Sequence, residues 1–312
     1  MIETGGYHVV LGAAGGAGCA LTNELARQGL SVRAVRRRAS GPWPNRVEVV
    51  PVDLMRSENV RKACRGAAVV YYAANVPYLR WLDVLPAMTD NLIAGAFAAD
   101  AVLVVVDNLY MYGPPIGPMT EATPRWASGP KGPLRVRLEE RFLAAHASTR
   151  VGVAIGCGSD FYGPHANSAA NQLVIKHARR RKTASWLGSL DAPHTLTYLP
   201  DFARGLITLG RNARAWGEVW HIPSGPPVTG RTFIAEVYKE LGQPFRIKRI
   251  GRGMMTIAGL FNRQIREARE VLYQFEQPFV MDALKVKQTF GGTVTPLREG
   301  IRETLAALRA VP

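Results

Sequence analysis

Cysteine is scarce in this chain, with three copies at positions 19, 64 and 157. An odd, widely spaced set supplies neither a disulfide framework nor a zinc cluster, and points to a reduced, cytoplasmic setting. The six histidines show no metal-ligand spacing either, so no metal is expected. No apolar run reaches the roughly 18 residues that suggest a membrane span, and residues 1–6 lack the basic and apolar regions of a signal peptide. Acidic residues are few: 24, against 39 Lys and Arg, for a formal charge of +15. That balance suits nucleic acid or an anionic surface. The basic residues are nevertheless spread along the chain, and the clusters at 36–38, 179–182 and 246–252 come with no nucleic-acid motif. An arginine-rich solvated surface is the expectation, with neither nucleic acid nor membrane as partner. Residues 249–261 also read as a membrane-surface helix, but a buried helix with a glycine-containing start is the reading preferred.

What is present is ordinary for a large α/β protein, with 47% hydrophobic residues over 312 positions. Apolar runs at 9–11, 32–35, 47–52, 68–73, 102–106 and 151–155 alternate with helical patterns at 16–28, 56–65, 80–99 and 134–147. Continuous apolar strands separated by helices predict a doubly wound parallel sheet covered on both faces. The pattern loosens after residue 156. Helices are expected at 168–181, 199–210, 231–241, 254–275 and 297–310, with a strand at 219–222. The predicted organisation is a sheet domain of residues 1–156, rejoined by 199–222, and a smaller, mostly helical lobe of 157–198 and 223–312 that binds substrate. The Gly- and Pro-rich loop at 107–133 is long for a compact domain and follows a central strand, where ligands bind.

Gly12, Ala14, Gly15, Gly16, Ala17 and Gly18 lie between the first strand and the helix that runs to Gly29. That order suits a dinucleotide pyrophosphate, which needs close backbone approach and a free helix N-terminus. No acidic residue occurs between Glu24 and Glu48, where a carboxylate would hold the ribose 2′-OH of NAD; the second strand is followed instead by Arg36, Arg37 and Arg38. An arginine fork matches the 2′-phosphate of NADP, so NADP(H) is the expected cofactor. Asp53 and Leu54 follow the third strand, where a carboxylate can accept from the adenine amino group or cap the next helix. Ala73, Ala74 and Asn75 follow the fourth, small enough to let the cofactor pass. With Tyr112-Gly113, Phe161-Tyr-Gly-Pro164 and Tyr198-Leu-Pro-Asp201, these features resemble the short-chain dehydrogenase/reductase superfamily. The branch is the extended one, the NAD-dependent epimerase/dehydratase family, and the likeness covers essentially the whole chain.

The resemblance implies a serine or threonine before Tyr-Gly and a Tyr-x-x-x-Lys helix whose tyrosine is the general acid and base. This chain departs on both counts, like an atypical subgroup that keeps the cofactor fold without the usual catalytic residues. Asn108 stands at the serine position and can still donate through its amide. No tyrosine occurs between Tyr112 and Tyr162; Lys131 takes the tyrosine position and Arg135 that of the lysine, where it would hold the nicotinamide ribose. The candidates for proton transfer are Lys131, Tyr110 and Tyr112, each with pocket lining or a solvated position as the alternative. Cys157 replaces an arginine of relatives, while Asp160, His165, Asn167 and His194 read first as turn or capping residues. The aromatic segment 273–279 suits an apolar pocket or plain core packing. Trp81, Leu82, Val84, Leu85, Met88, Leu92 and Ile93 form one apolar helix face, which in relatives packs a homodimer and otherwise packs on the sheet. The reading that results is an NADP(H)-dependent oxidoreductase of a small, fairly apolar carbonyl or enone. The alternatives are a nucleotide-sugar epimerase or dehydratase, and a non-catalytic NADP-binding sensor.

Overall fold

The computed structural model describes residues 6–38, 43–44, 46–127 and 129–309. The first half alternates strand and helix as the apolar pattern requires: β1 (Tyr7–Leu11), α1 (Gly16–Arg27), β2 (Val32–Arg36), β3 (Val47–Pro51), α2 (Ser57–Cys64), β4 (Ala67–Tyr72), α3 (Trp81–Ala98), β5 (Val102–Asp107), α4 (Lys131–Ser148) and β6 (Val153–Cys157). The second half adds β7 (Asp160–Tyr162), α5 (Lys176–Arg179), β8 (Ala184–Leu187), β9 (Pro193–His194), β10 (Leu196–Tyr198), α6 (Leu199–Gly210) and β11 (Glu218–His221). It ends in β12 (Val228–Thr229), α7 (Gly230–Glu240), β13 (Ile247–Ile250), α8 (Arg252–Phe261), α9 (Arg263–Ala268), α10 (Tyr273–Glu276), α11 (Leu284–Phe290) and α12 (Leu297–Arg309).

Seven strands form one sheet in the order β11-β6-β5-β4-β1-β2-β3, and every pairing in it is parallel, as in His8 opposite Val32 and Val70 opposite Leu103. Alternate side chains feed two cores, because successive residues of a strand point to opposite faces. Val9, Leu11, Val70, Tyr72, Leu103 and Val105 pack beneath α2, α3 and α4. Val10, Val69, Tyr71 and Val104 pack with α1, α6 and α11 on the other face. Strand order reverses between β1 and β4, and that switch point opens a crevice at their C-terminal ends.

Beyond the sheet, a third core joins Tyr162, Val174, Trp186, Tyr198, Phe233, Val237, Phe275 and Ile301, with three two-stranded ladders around it (β10 with β7, β12 with β9, β13 with β8). On α3, Trp81, Leu85, Met88 and Leu92 are buried in the sheet core and Val84 is buried as well, whereas Leu82 is exposed. Most of that apolar face therefore packs on the sheet. The stretch expected as one helix over 254–275 is broken at Asn262, whose side-chain oxygen accepts from Gln264 and Ile265 N–H and so starts α9. The loop after β5 is tied down, because Met119 exchanges backbone hydrogen bonds with Val280 and Asp282.

Candidate active site

The first part of the site is the turn between β1 and α1. The Gly12 and Ala13 N–H groups both donate to the Val35 carbonyl, which joins the turn to the end of β2. Gly12 has φ +97°, and a Cβ there would collide with the Ala74 backbone; one at Gly18 would strike the Gly12 carbonyl. Those two glycines are demanded by the chain's own packing. Gly15 is different: a Cβ there would meet nothing nearer than Gly12 O at 3.5 Å and Ala73 O at 3.7 Å. What glycine keeps clear at that position is the open side of the turn, over the start of α1. The helix begins there with no side-chain cap and no acidic residue in its first turn, leaving N–H donors and a positive dipole end for an anion. Gly16 packs beneath Leu199 and His165, and Ala17 against the core below α1, while Ala14 is exposed.

Other cofactor candidates stand at or just after the C-terminal ends of β2, β3 and β4. Arg36 ends β2, followed by exposed Arg37. Arg36 stands close enough to α1 that its charge partly offsets the burial that pushes the Cys19 thiol up. Asp53 is exposed and accepts from Met55 N–H at 3.0 Å, a turn-stabilising bond ahead of α2, with Leu54 partly buried against the sheet core beside it. Ala73 donates its N–H to Leu11 O, and Asn75 accepts from Val76 N–H.

The catalytic candidates end up in four different situations. Asn108 accepts from Tyr110 N–H at 3.0 Å, which leaves its amide NH2 free to donate. Tyr110 stacks on Trp81 (ring centroids 5.8 Å apart), and no hydrogen bond engages its hydroxyl among the described residues. Burial, and then the Asp160 carboxylate, push its phenol well above the usual tyrosine range. Tyr112 is turned into the core instead. His221 donates from Nδ1 to Asp282 O at 2.8 Å, so its Nε2 must accept, and it accepts the Tyr112 hydroxyl at 2.8 Å. The one proton donor of the Tyr112 side chain is thus engaged inside the core. Lys131 is also spoken for: it is 3% exposed, its Nζ bonds Glu267 at 2.8 Å and Glu270 at 3.3 Å, and it lies 4.0 Å from the Tyr78 ring centre. Held between two carboxylates, the Lys131 ammonium is engaged away from the role its position in the sequence suggests.

Arg135, 7% exposed, pairs with the buried Asp107 at 3.1 Å and lies over the Trp81 ring. Its Nε is buried with no hydrogen-bond partner among the described residues. Burial raises the Asp107 carboxyl above its ordinary value despite the arginine. Cys157, buried at the end of β6, has its thiol pushed up by burial and by nearby carboxylates. His165 and Asn167 are exposed loop residues, Asn167 accepting from Gln172.

One group was not singled out from the sequence, and for another, His194 with Asp160, only a turn or capping role was expected. Glu267 and Glu270, which hold Lys131, lie more than 130 residues away in the chain. His194 bonds Asp160 at 2.8 Å and the Gln274 carbonyl at 3.0 Å, its ring stacked between Phe275 and Phe279. The aromatic run at 273–279 was the available signal, and it packs around this histidine.

The profile of the NAD dependent epimerase/dehydratase family matches residues 8–222. A search of the curated proteins returns no match. Among solved structures, the chain is similar to dTDP-glucose 4,6-dehydratase from Bacillus anthracis in complex with NAD (16% identity, TM-score 0.80, 98% of this chain and 97% of that one covered). It is also similar to the dTDP-glucose 4,6-dehydratase DesIV from Streptomyces venezuelae with NAD bound (17% identity, TM-score 0.78, 97% of both chains). A third is UDP-glucuronic acid 4-epimerase from Bacillus cereus with UDP-glucuronic acid and NAD (19% identity, TM-score 0.79, 98% and 100%). At these identities the likeness is one of fold. With the profile spanning more than half of its length, the chain belongs to the NAD-dependent epimerase/dehydratase family.

Proposed function

We propose that this protein is an NADP(H)-dependent oxidoreductase acting on a small, fairly apolar carbonyl or enone compound. The observation that carries this reading is the end of β2, where Arg36 and Arg37 stand in place of a carboxylate and Arg36 lies beside α1. Guanidinium groups there favour a 2′-phosphate, which a carboxylate would repel. The open side of Gly15 and the uncapped start of α1 fit the pyrophosphate, with Gly12, Ala14, Gly16, Ala17, Gly18, Ala73, Ala74 and Asn75 around it. Asp53 and Leu54 would border the adenine, and the unpartnered Arg135 Nε would serve the nicotinamide ribose. Bound there, the dinucleotide supplies hydride transfer.

The chain's own part is to hold the substrate oxygen and a proton. Tyr110 stays a neutral phenol, since burial and Asp160 both disfavour its anion, and so acts as general acid. Asn108 donates its amide to the same oxygen. Tyr78, Trp81, Tyr110 and Tyr273 supply an apolar lining, closed by the lobe segment that reaches Lys131 through Glu267 and Glu270.

The test is a fluorescence titration of NADPH against NADH, on the native chain and on the Arg36→Ala/Arg37→Ala variant. The native chain is expected to prefer NADPH by at least roughly tenfold, and the variant to lose that preference. No preference, or one that survives both substitutions, overturns the cofactor assignment. A nucleotide-sugar epimerase or dehydratase is the second reading, favoured by the structural neighbours that carry NAD and nucleotide sugars. Tightly retained NAD with turnover of a UDP- or dTDP-sugar would establish it instead.

A further inference from the structure

Helix α8 is apolar on the side it turns outward. Met254 is 46% exposed, Ile257 64%, Leu260 71% and Phe261 88%, while Met255 and Gly259 face in. At 3.6 residues per turn the four exposed side chains fall within about 120° of arc. Gly259 lies against the Arg266 backbone, so α9 covers the inner side of α8 and leaves that arc open. Only twelve large hydrophobic residues are exposed among the described ones, and a third of them stand on this one ten-residue helix. Single exposed apolar residues are normal; a contiguous set marks a contact surface.

The charge of the segment that carries the arc selects the occupant. Residues 246–270 carry seven basic side chains (Arg246, Lys248, Arg249, Arg252, Arg263, Arg266 and Arg269) against two acidic ones. Both acids, Glu267 and Glu270, are turned inward on Lys131. Arg246, Lys248, Arg266 and Arg269 are exposed and enter no ion pair among the described residues. A second copy of this chain is a poor occupant, because a two-fold interface would set the same basic patch against itself. We propose that α8 docks the protein on the surface of a bilayer containing anionic lipid. Its apolar arc enters the acyl boundary and the flanking arginines and lysine meet the headgroups. No helix among the described residues is long and apolar enough to cross a membrane; the attachment is peripheral.

The test uses the full chain with vesicles of phosphatidylcholine alone, and of phosphatidylcholine with a quarter phosphatidylglycerol. Co-sedimentation with the anionic vesicles is expected, weakened by added salt. The double variant Ile257→Ser/Phe261→Ser keeps the charge and removes two exposed apolar groups, so its affinity should fall at least roughly tenfold. In parallel, the Phe261→Trp variant, which keeps an aromatic group on the arc, should show a blue-shifted difference spectrum with vesicles and quenching by brominated lipid. Unchanged binding by the double variant overturns the proposal in favour of adsorption through net charge alone. Absence of the blue shift in the Phe261→Trp variant overturns it as well. So does a dimer in sedimentation velocity that the double variant dissociates without any vesicle binding, which would make the face a contact between copies.

Discussion

Two tyrosines two residues apart in the turn after β5 have opposite surroundings. The Tyr110 hydroxyl is engaged by no hydrogen bond among the described residues, whereas that of Tyr112 is committed to His221. Tyr110→Phe should therefore lower kcat by about 10²-fold or more and leave the unfolding temperature unchanged. Tyr112→Phe should cost about 1–3 kcal/mol, because it strands a buried imidazole acceptor, and leave kcat nearly intact in the folded fraction. Thermal melts and steady-state assays on both variants decide this; a kcat loss in Tyr112→Phe alone would reverse the assignment. Spacing along the chain brought both tyrosines and Lys131 to notice but said nothing of their partners. His221, Glu267 and Glu270 are each more than 100 residues distant from the group they occupy, and such pairings come from tertiary folding that no local pattern encodes.

At the scale of elements, the glycine turn separates two demands that one motif conflates. Gly18→Ala would press a methyl group onto the Gly12 carbonyl, a backbone atom that cannot swing aside, at a cost of about 2–3 kcal/mol. Gly15→Ala meets only ordinary contacts and an extended backbone (φ −77°, ψ 164°) open to any residue, so stability should hold within about 0.5 kcal/mol. Its NADPH affinity should nevertheless fall roughly tenfold, since the methyl enters the space over α1. Denaturant melts and binding titrations of the pair check this; unimpaired binding by Gly15→Ala would remove the phosphate role. Strands β1 to β6 and the helices between them were legible, because buried parallel strands read as unbroken apolar runs. The lobe was less so. Its ladders are two to four residues long, too short for periodicity, and Asn262 breaks a helix that apolar spacing alone would carry through. The apolar spacing of α8 reads first as a buried helix, but α9 covers only its inner side and the rest of the arc is exposed.

The molecule as a whole carries +15, and two buried histidines resist adding to that charge in acid. His8 stands on β1 beside Tyr71 of β4, fully buried in the central sheet, and burial with the nearby Arg211 charge lowers it from 6.5 to about 4. His221, under Tyr112, is lowered as well, chiefly by burial. A histidine with a depressed folded pKa is neutral in the native state and charged in the unfolded one as pH falls below 6.5. The unfolded chain then binds more protons, so stability is full above pH 6.5 and drains away toward pH 4. For His8 the whole loss is roughly 3 kcal/mol. The buried carboxyls Asp107 and Glu139 are shifted upward and oppose this trend, since their native forms hold protons that the unfolded chain releases. The His8 share is therefore isolated by difference. Urea melts of the native chain and of His8→Leu, taken between pH 7 and 4.5, should show a shallower fall in the variant, whatever its stability at pH 7. Parallel curves for the two chains would mean that His8 keeps an ordinary pKa in the folded protein.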